Sequence, residues 1–189
     1  VLITGATGFV GKALLEKLFR EFNSDLGTIY LLTRAKKIRS RKKDVEDHVR
    51  SIEDRVKIEI YDSQIFDLCR EEIPDFETLF FEKVKPIAGE LSKPNGQHIV
   101  DSPSDLKLIR ETVQVVVHSA ASVSFAEPLG EAIRKNVTGS LEMFALGRSC
   151  ENLEAYCHVS TAYVNAHKLG FIKEELADFP LPEGCNSVE

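Results

Sequence analysis

A glycine-rich turn stands between a short apolar run and an amphipathic segment at the beginning of the 189-residue chain. The apolar run, VLIT at residues 1–4, is typical of a buried strand, and residues 9–22 repeat apolar side chains at helical spacing. The turn, TGATGFVG at residues 4–11, joins the two segments. A strand, a glycine turn and a helix in this order predict the first unit of an α/β fold.

Each glycine of the turn has a stereochemical reason. Gly5 permits the tight bend, Gly8 lets the backbone approach a pyrophosphate, and Gly11 lets the helix pack closely on the strand. The helix N-terminus then presents free N–H groups and a partial positive charge to phosphates. No Lys-Ser or Lys-Thr pair follows the last glycine, which excludes a P-loop. The pattern predicts a dinucleotide site, with a turn selected only for packing as the alternative. The predicted cofactor-binding residues of the turn are Thr4, Gly5, Thr7, Gly8, Phe9, Val10 and Gly11.

Apolar runs and amphipathic segments of helical length continue to alternate along the chain. Strands are predicted at residues 1–4, 28–33, 84–89, 114–119 and 155–160. Helices are predicted at residues 9–22, 43–55, 62–81 with a break at Pro74, 105–112 after Ser104 as N-cap, and 127–149. This alternation predicts a Rossmann-like α/β fold, in which helices cover both faces of a doubly wound parallel sheet. We expect one domain over residues 1–189, truncated after the fifth strand and mostly loop after Ser160.

Composition excludes several classes of function. With 24 basic and 30 acidic residues, the net charge of −6 argues against nucleic-acid binding. The apolar runs are much shorter than the roughly 18 residues of a transmembrane helix. Four cysteines, at positions 69, 150, 157 and 185, have no CxxC spacing, which favours reduced intracellular thiols over a zinc site or disulfides. His118 and His158 have no third ligand nearby in sequence, so no metal site is predicted.

The end of the second predicted strand bears on the choice of cofactor. NAD sites usually place an acidic residue there to bind the ribose 2′-hydroxyl. This strand ends instead at Arg34, whose guanidinium can make two charge-assisted bonds to a 2′-phosphate, and so predicts NADPH. Seven of the ten residues 34–43 are basic, which indicates either a solvated loop or an electropositive rim that attracts phosphorylated ligands. After the fourth strand, three small residues leave room for a cofactor across the sheet edge: Ser119, Ala120 and Ala121.

Several motifs together carry a family resemblance. The three-residue glycine spacing resembles the extended branch of the short-chain dehydrogenase/reductase superfamily. The motifs are TGATGFVGKALLEKLFR at 4–20, LTR at 32–34, IAGEL at 87–91, HSAASVSF at 118–125 and HVSTAYVN at 158–165. Together they resemble the amino-terminal reductase domain of a fatty acyl-CoA reductase. The resemblance runs through nearly the whole chain and is least distinctive over residues 44–82.

The resemblance implies further site residues and an activity. Glu90 and the backbone N–H of Leu91 would meet the adenine, and Asn136 would hydrogen-bond backbone near the active centre. Thr161, with Ser160 as the fallback, would bind the substrate carbonyl oxygen. The intact protein would reduce long-chain acyl-CoA to fatty alcohol with NADPH, by way of an aldehyde. It would be attached to peroxisomal or endoplasmic-reticulum membranes, facing the cytosol, through parts that this chain does not include.

The proton donor of the superfamily is a Tyr with a Lys four residues later. The nearest pair here, Tyr163 and Lys168, is separated by five residues, about 140° apart on a helix. We therefore expect this chain to bind NADPH without appreciable turnover of its own. Two other functions share the same motifs. One is a nucleotide-sugar epimerase or dehydratase that uses NAD(P), and the other is a non-catalytic NADPH-binding module.

Overall fold

A computed structural model of the chain describes residues 1–38, 48–91, 93, 99–166 and 168–175. The chain divides into two compact units, Val1–Val159 and Ser160–Glu189. Residues 39–43 of the basic run, residues 43–47 of the helix predicted over 43–55, Cys185 and the predicted terminal loop over 176–189 lie outside the described residues. No helix in the part of the chain given by these ranges is long and apolar enough to cross a membrane.

The first unit is built on a parallel sheet. The strands are β1 (Leu2–Thr4), β2 (Ile29–Thr33), β3 (Lys36–Ile38), β4 (His48–Arg50), β5 (Val84–Ala88), β6 (Val115–His118) and β7 (Ala155–His158). Five of them form one sheet in the order β5-β2-β1-β6-β7, with every neighbouring pair parallel. The chain winds from β1 to one edge and then returns to the other side, so the direction of winding reverses beside β1. The predicted doubly wound Rossmann-like fold is confirmed, with a strand at each of the five predicted places.

Helices cover the sheet. They are α1 (Phe9–Phe22), α2 (Ile52–Arg55), α3 (Asp67–Glu72), α4 (Phe76–Lys83), α5 (Pro103–Thr112), α6 (Leu129–Ile133) and α7 (Gly139–Arg148). A π-helical segment, Val56–Tyr61, continues α2, and a second one, Arg134–Thr138, joins α6 to α7. Short 3-10 helices form at Gln64–Phe66 and, in the second unit, at Ala162–Asn165.

The segment between β2 and β5 differs most from its prediction. Residues 48–50, predicted to be helical, form β4 and pair antiparallel with β3 as a small separate ribbon. The predicted helix over 62–81 is divided into α3 and α4 around Pro74, and Asp75 adopts a left-handed φ of 50° before α4. The residues that pair with β4 lie 10 to 14 positions earlier in the sequence, so helical spacing within 43–55 did not reveal the strand.

Two other helix boundaries also need correction. Ser102 rather than Ser104 caps α5, and its hydroxyl accepts a hydrogen bond from the backbone N–H of Asp105 at 3.4 Å. Pro103 explains the shift, because proline is favoured at the first position of a helix and lacks the N–H that a cap would need to satisfy. The long helix predicted over 127–149 begins after Pro128 and contains the π-helical segment.

The two faces of the sheet bury separate apolar clusters. Ile3 faces one cluster, whereas Leu2 faces the other together with Ile109, Val116 and Met143. Successive side chains of a strand point to opposite faces, so neighbouring residues of β1 enter different cores. A three-residue central strand is fully buried in this way, which explains its unbroken apolar sequence.

An aromatic cluster fills the core on the side of α1 and α4. The Phe19 ring stacks on Phe80 and meets Phe76 edge-on, with both pairs of ring centroids 5.3 Å apart. Tyr61 and Phe66 complete the cluster around Phe80. Aromatic pairs of this geometry contribute about 0.5–1.5 kcal/mol beyond their buried area. The cluster therefore fixes the long connection between β2 and β5 against α1.

Replacing Phe80 by alanine should destabilise the first unit strongly. The ring is fully buried, so Phe80→Ala should lower the free energy of unfolding by about 3–5 kcal/mol through lost transfer energy and a residual cavity. Urea titration followed by circular dichroism measures the change. The control Phe22→Ala removes a half-exposed ring at the end of α1 and should cost under about 1 kcal/mol. Equal losses in the two variants would contradict the assignment of the core.

Candidate functional site

A cavity of about 750 Å³ opens in the first unit where strands β1, β2, β5 and β6 end. This is the sheet edge at which the winding reverses, the place where open α/β sheets bind ligands. Thirteen of the predicted cofactor residues line it: Thr4, Gly5, Thr7, Gly8, Phe9, Val10, Gly11, Arg34, Glu90, Leu91, Ser119, Ala120 and Ala121. Asn136 does not line the cavity, and Ser160 and Thr161 belong to the second unit.

Backbone contacts determine the shape of the glycine turn. Gly5 has a φ of +74°, and a Cβ at this position would lie 2.8 Å from the backbone of Ser119 and Ala120. A Cβ on Gly11 would lie 2.5 Å from the carbonyl oxygen of Gly5. The N–H of Gly8 donates to that same carbonyl at 2.9 Å and closes the turn. Side chains at Gly5 or Gly11 would therefore separate elements that are in direct backbone contact.

The first turn of α1 faces the cavity with its backbone amides. Gly8 precedes the helix, and no side chain among the described residues caps it. The first turn contains no acidic residue, and Phe9, Val10 and Gly11 all line the cavity. Free N–H groups at the positive end of a 14-residue helix fit an anion such as a pyrophosphate. The close glycine backbone provides the space that such a group needs.

A buried arginine that the sequence did not single out also lines the cavity. Arg55 is only 8% exposed. Its guanidinium donates to the Thr7 hydroxyl at 3.2 Å and to the carbonyl oxygen of Arg34 at 2.7 Å, so it joins the glycine turn to the end of β2. It lies in the least distinctive stretch, outside every motif. The sequence offers one signal for Arg55: it stands four residues before Glu59, a spacing at which opposite charges can pair on a helix.

Three cationic side chains pair with Glu59 at this end of the cavity. Its carboxylate oxygens lie 2.9 Å from Arg55, 3.1 Å from Arg50 and 3.3 Å from Lys36. Burial opposes ionisation of the group, but the hydrogen bonds and charges of Arg55 and Lys36 outweigh it and hold the pKa of Glu59 below its ordinary value. The carboxylate is therefore ionised at neutral pH, and the cations around it outnumber it.

Arg34 and Glu90 meet across the mouth of the cavity. The sequence assigned Arg34 to a 2′-phosphate and Glu90 to the adenine, and the structure places them in an ion pair of 2.8 Å. The Arg34 side chain is 63% exposed, so the pair is worth at most about 1 kcal/mol and an anionic ligand can compete with Glu90 for the guanidinium. Leu91 follows on the same wall, where its backbone touches the start of α7 at Gly139.

Hydrogen bonds hold the small-residue loop after β6 against β1. The Ser119 hydroxyl donates to the carbonyl oxygen of Thr4 at 2.8 Å, and the N–H of Ala120 donates to the Thr4 hydroxyl at 3.1 Å. Asn136 binds both backbone groups of Ser122, accepting from its N–H at 2.8 Å and donating to its carbonyl at 3.0 Å. Asn136 thus bonds the backbone of a residue that lines the cavity.

The candidate catalytic hydroxyls lie in the second unit. Thr161 caps the 3-10 helix, and its hydroxyl oxygen accepts from the N–H of Tyr163 at 3.2 Å. An accepting hydroxyl keeps its own hydrogen to donate. Ser160 precedes it and is exposed. Among the residues that the structure describes, no cluster of His, Cys, Asp or Glu could hold a metal ion.

Comparison with known proteins agrees with this geometry. Residues 3–184 match the model of a family of NAD-binding domains described as male sterility protein. A putative fatty acyl-CoA reductase of Drosophila melanogaster is 37% identical over 188 residues, which cover 100% of this chain and 32% of that protein. Fatty acyl-CoA reductase 1 of Mus musculus is 36% identical over 168 residues, covering 89% of this chain and 29% of that protein.

Among solved structures, the reductase domain of a nonribosomal peptide synthetase from Mycobacterium tuberculosis is similar in fold. It gives a TM-score of 0.57 at 27% identity, over 87% of this chain and 34% of that one. The chain spans about a third of the length of the curated relatives described above. It belongs to the male sterility protein family, as an NAD(P)-binding domain of the fatty acyl-CoA reductase type.

Proposed function

We propose that the chain is the NADPH-binding part of an enzyme that reduces long-chain acyl-CoA to fatty alcohol by way of an aldehyde. The observation that carries the proposal is the cavity at the switch point of the sheet. The glycine turn and the uncapped N-terminus of α1 border one part of this cavity, and a group of cations beside β2 borders another. Relatives named fatty acyl-CoA reductase support the substrate class.

Different residues of the first unit would hold the pyrophosphate, the adenine and the rest of the cofactor. The amides of the glycine turn and of the first turn of α1 would bind the pyrophosphate. Glu90 and the backbone of Leu91 would border the adenine, and the small loop Ser119–Ala121 would leave room for the rest of the dinucleotide. When bound, the nicotinamide supplies the hydride of the reaction.

The local charge supports NADPH over NADH. Four cations, on Arg34, Lys36, Arg50 and Arg55, surround two carboxylates, so this end of the cavity keeps a positive charge. A 2′-phosphate would match that charge, and the guanidinium of Arg34 can exchange its exposed carboxylate partner for it. A 2′-hydroxyl would gain much less from the same groups.

Thr161 is the proposed hydrogen-bond donor to the substrate carbonyl oxygen, with Ser160 as the alternative. A donor at that oxygen would stabilise the negative charge that develops there during reduction. The sequence contains no Tyr-x-x-x-Lys, so we propose that the proton donor is not within this chain. Attachment to a peroxisomal or endoplasmic-reticulum membrane, facing the cytosol, is likewise proposed for other parts of the protein.

The selectivity for the 2′-phosphate can be measured directly. Arg34→Ala should raise the Kd for NADPH about 10- to 100-fold, because it removes charge-assisted hydrogen bonds worth about 1.5–3 kcal/mol. The Kd for NADH should change by less than about threefold. Arg20→Ala, which removes an arginine paired with Glu16 on α1, is the matched control. Parallel losses for both cofactors would contradict the phosphate role.

Turnover by the chain alone tests the assignment of the proton donor. Mixed with NADPH and a long-chain acyl-CoA, the chain should bind the cofactor but oxidise it no faster than the blank. Ordinary enzymes turn over at about 1 s⁻¹ or faster, so the absorbance of NADPH distinguishes the two outcomes readily. A rate in that range would show that these residues contain a complete active site.

Thermal stabilisation separates the acyl-CoA function from its alternatives. With NADPH present, a long-chain acyl-CoA below its micellar concentration should raise the Tm further, whereas a UDP-sugar should not, since only a bound ligand stabilises the folded state. A shift with the UDP-sugar alone would favour a nucleotide-sugar epimerase or dehydratase. A shift with neither would favour a non-catalytic NADPH-binding module.

A further inference from the structure

A fully buried histidine lies directly behind the wall of the cavity. His118 is the last residue of β6 and has no exposed surface. Its Nδ1 atom lies 2.6 Å from the hydroxyl of Thr4, and its Nε2 atom lies 3.0 Å from the hydroxyl of Ser140 on α7. Neither ring nitrogen faces water, so each needs its protein partner.

The hydrogens of these partners determine the tautomer. The Ser140 hydroxyl donates its single hydrogen to the carbonyl oxygen of Asn136 at 2.8 Å, so it can only accept from the ring. We therefore assign the ring hydrogen to Nε2. Nδ1 is then the acceptor, and the Thr4 hydroxyl donates to it while accepting from the N–H of Ala120. This assignment satisfies all the hydroxyls and both ring nitrogens at once.

The surroundings keep the ring neutral. Burial, and then the nearby imidazole of His158, lower the pKa of His118 to about 4. The two rings lie 5.1 Å apart, His158 being on β7. The contacts from β1 and from α7 are hydroxyls, which carry no charge. At neutral pH the imidazole is therefore uncharged, and its two nitrogens keep opposite roles.

The hydrogen bonds form a closed circuit around the loop that follows β6. One branch runs from His118 through Thr4 to Ala120, on the cavity wall. The other runs through Ser140 to Asn136, which holds both backbone groups of Ser122. The cavity wall is thus held at Ala120 by Thr4 of β1 and at Ser122 by Asn136 of the π-helical segment, and His118 contacts both branches directly.

We propose that His118 is a positioning residue for cofactor binding, whose neutral Nε2–H tautomer couples helix α7 to the cavity wall at Thr4 and Ala120. The inference rests on the proposed function, because the wall matters only if the cavity binds the dinucleotide. His118 itself does not line the cavity. Its effect on a ligand passes through the residues that it holds in place.

Nitrogen NMR of the histidine rings tests the tautomer without any ligand. In the folded chain at pH 7, His118 should show a protonated Nε2 and an unprotonated Nδ1. A protonated Nδ1, alone or in an imidazolium, would overturn the proposal. The His118→Asn variant lacks the ring signals of this residue, and their loss from the spectrum assigns them to His118.

Binding measurements test the coupling from α7. Ser140 does not line the cavity, yet Ser140→Ala should raise the Kd for NADPH about 3- to 10-fold, the loss expected when one hydrogen bond of the circuit is removed. Ser149→Ala is the matched control, since its hydroxyl also bonds a helix carbonyl, that of Leu146, but lies outside the circuit. It should leave the Kd unchanged.

A double-mutant cycle identifies His118 as the link. In a His118→Asn background, which already lacks the bond to Ser140, Ser140→Ala should cause no additional loss of affinity. Additive losses, or equal Kd values for Ser140→Ala and Ser149→Ala, would contradict the positioning role and show that His118 is only structural. If the unsubstituted chain does not bind NADPH, the proposed function fails, whereas the NMR result still decides the tautomer.

Discussion

The backbone contact between the glycine turn and the loop after β6 is the constraint on which the cavity depends. Gly5 approaches Ser119 and Ala120 so closely that no Cβ fits between them, and Gly11 approaches the carbonyl of Gly5 in the same way. Because each contact joins backbone to backbone, neither can relax by a change of side-chain rotamer. The direction of α1, and with it the aim of its free amides, is therefore set by steric contact at the centre of the sheet.

The opposite end of the cavity depends on charge rather than on close packing. The connection between β2 and β5 is anchored by its aromatic cluster and brings Arg55 between the glycine turn and β2. A buried guanidinium needs a counter-ion, and Glu59 provides it four residues later. Because Glu59 also pairs with Lys36 and Arg50, its single negative charge compensates the three positive charges only in part. The remaining positive charge lies beside Arg34, which the sequence assigned to the 2′-phosphate, and near the start of the basic run 34–43, interpreted as a solvated loop or an electropositive rim.

Sequence reasoning succeeded where neighbours along the chain determine the structure. The glycine turn, the five strands and the small residues after β6 all follow from local composition, and the turn and the small residues line one cavity. It failed where distant partners decide the outcome. Residues 48–50 form β4 only because β3 is available to pair with them, and Arg55 reaches the cavity only through tertiary packing. The cap of α5 is an exception, because the signal that places it at Ser102 is local: Pro103 favours the first helical position.

The polar circuit behind the loop follows from what a cavity wall must be. A wall that leaves room for a ligand needs small side chains, and Ser119, Ala120 and Ala121 offer little apolar area with which to anchor themselves. Hydrogen bonds to neighbouring elements hold this loop instead, and a buried histidine can donate one hydrogen bond and accept another at the same time. His118 occupies the strand position where this is possible, since its ring reaches β1 through one nitrogen and α7 through the other. The HSAA motif therefore contains, in four consecutive residues, both the buried histidine and the small residues of the cavity wall.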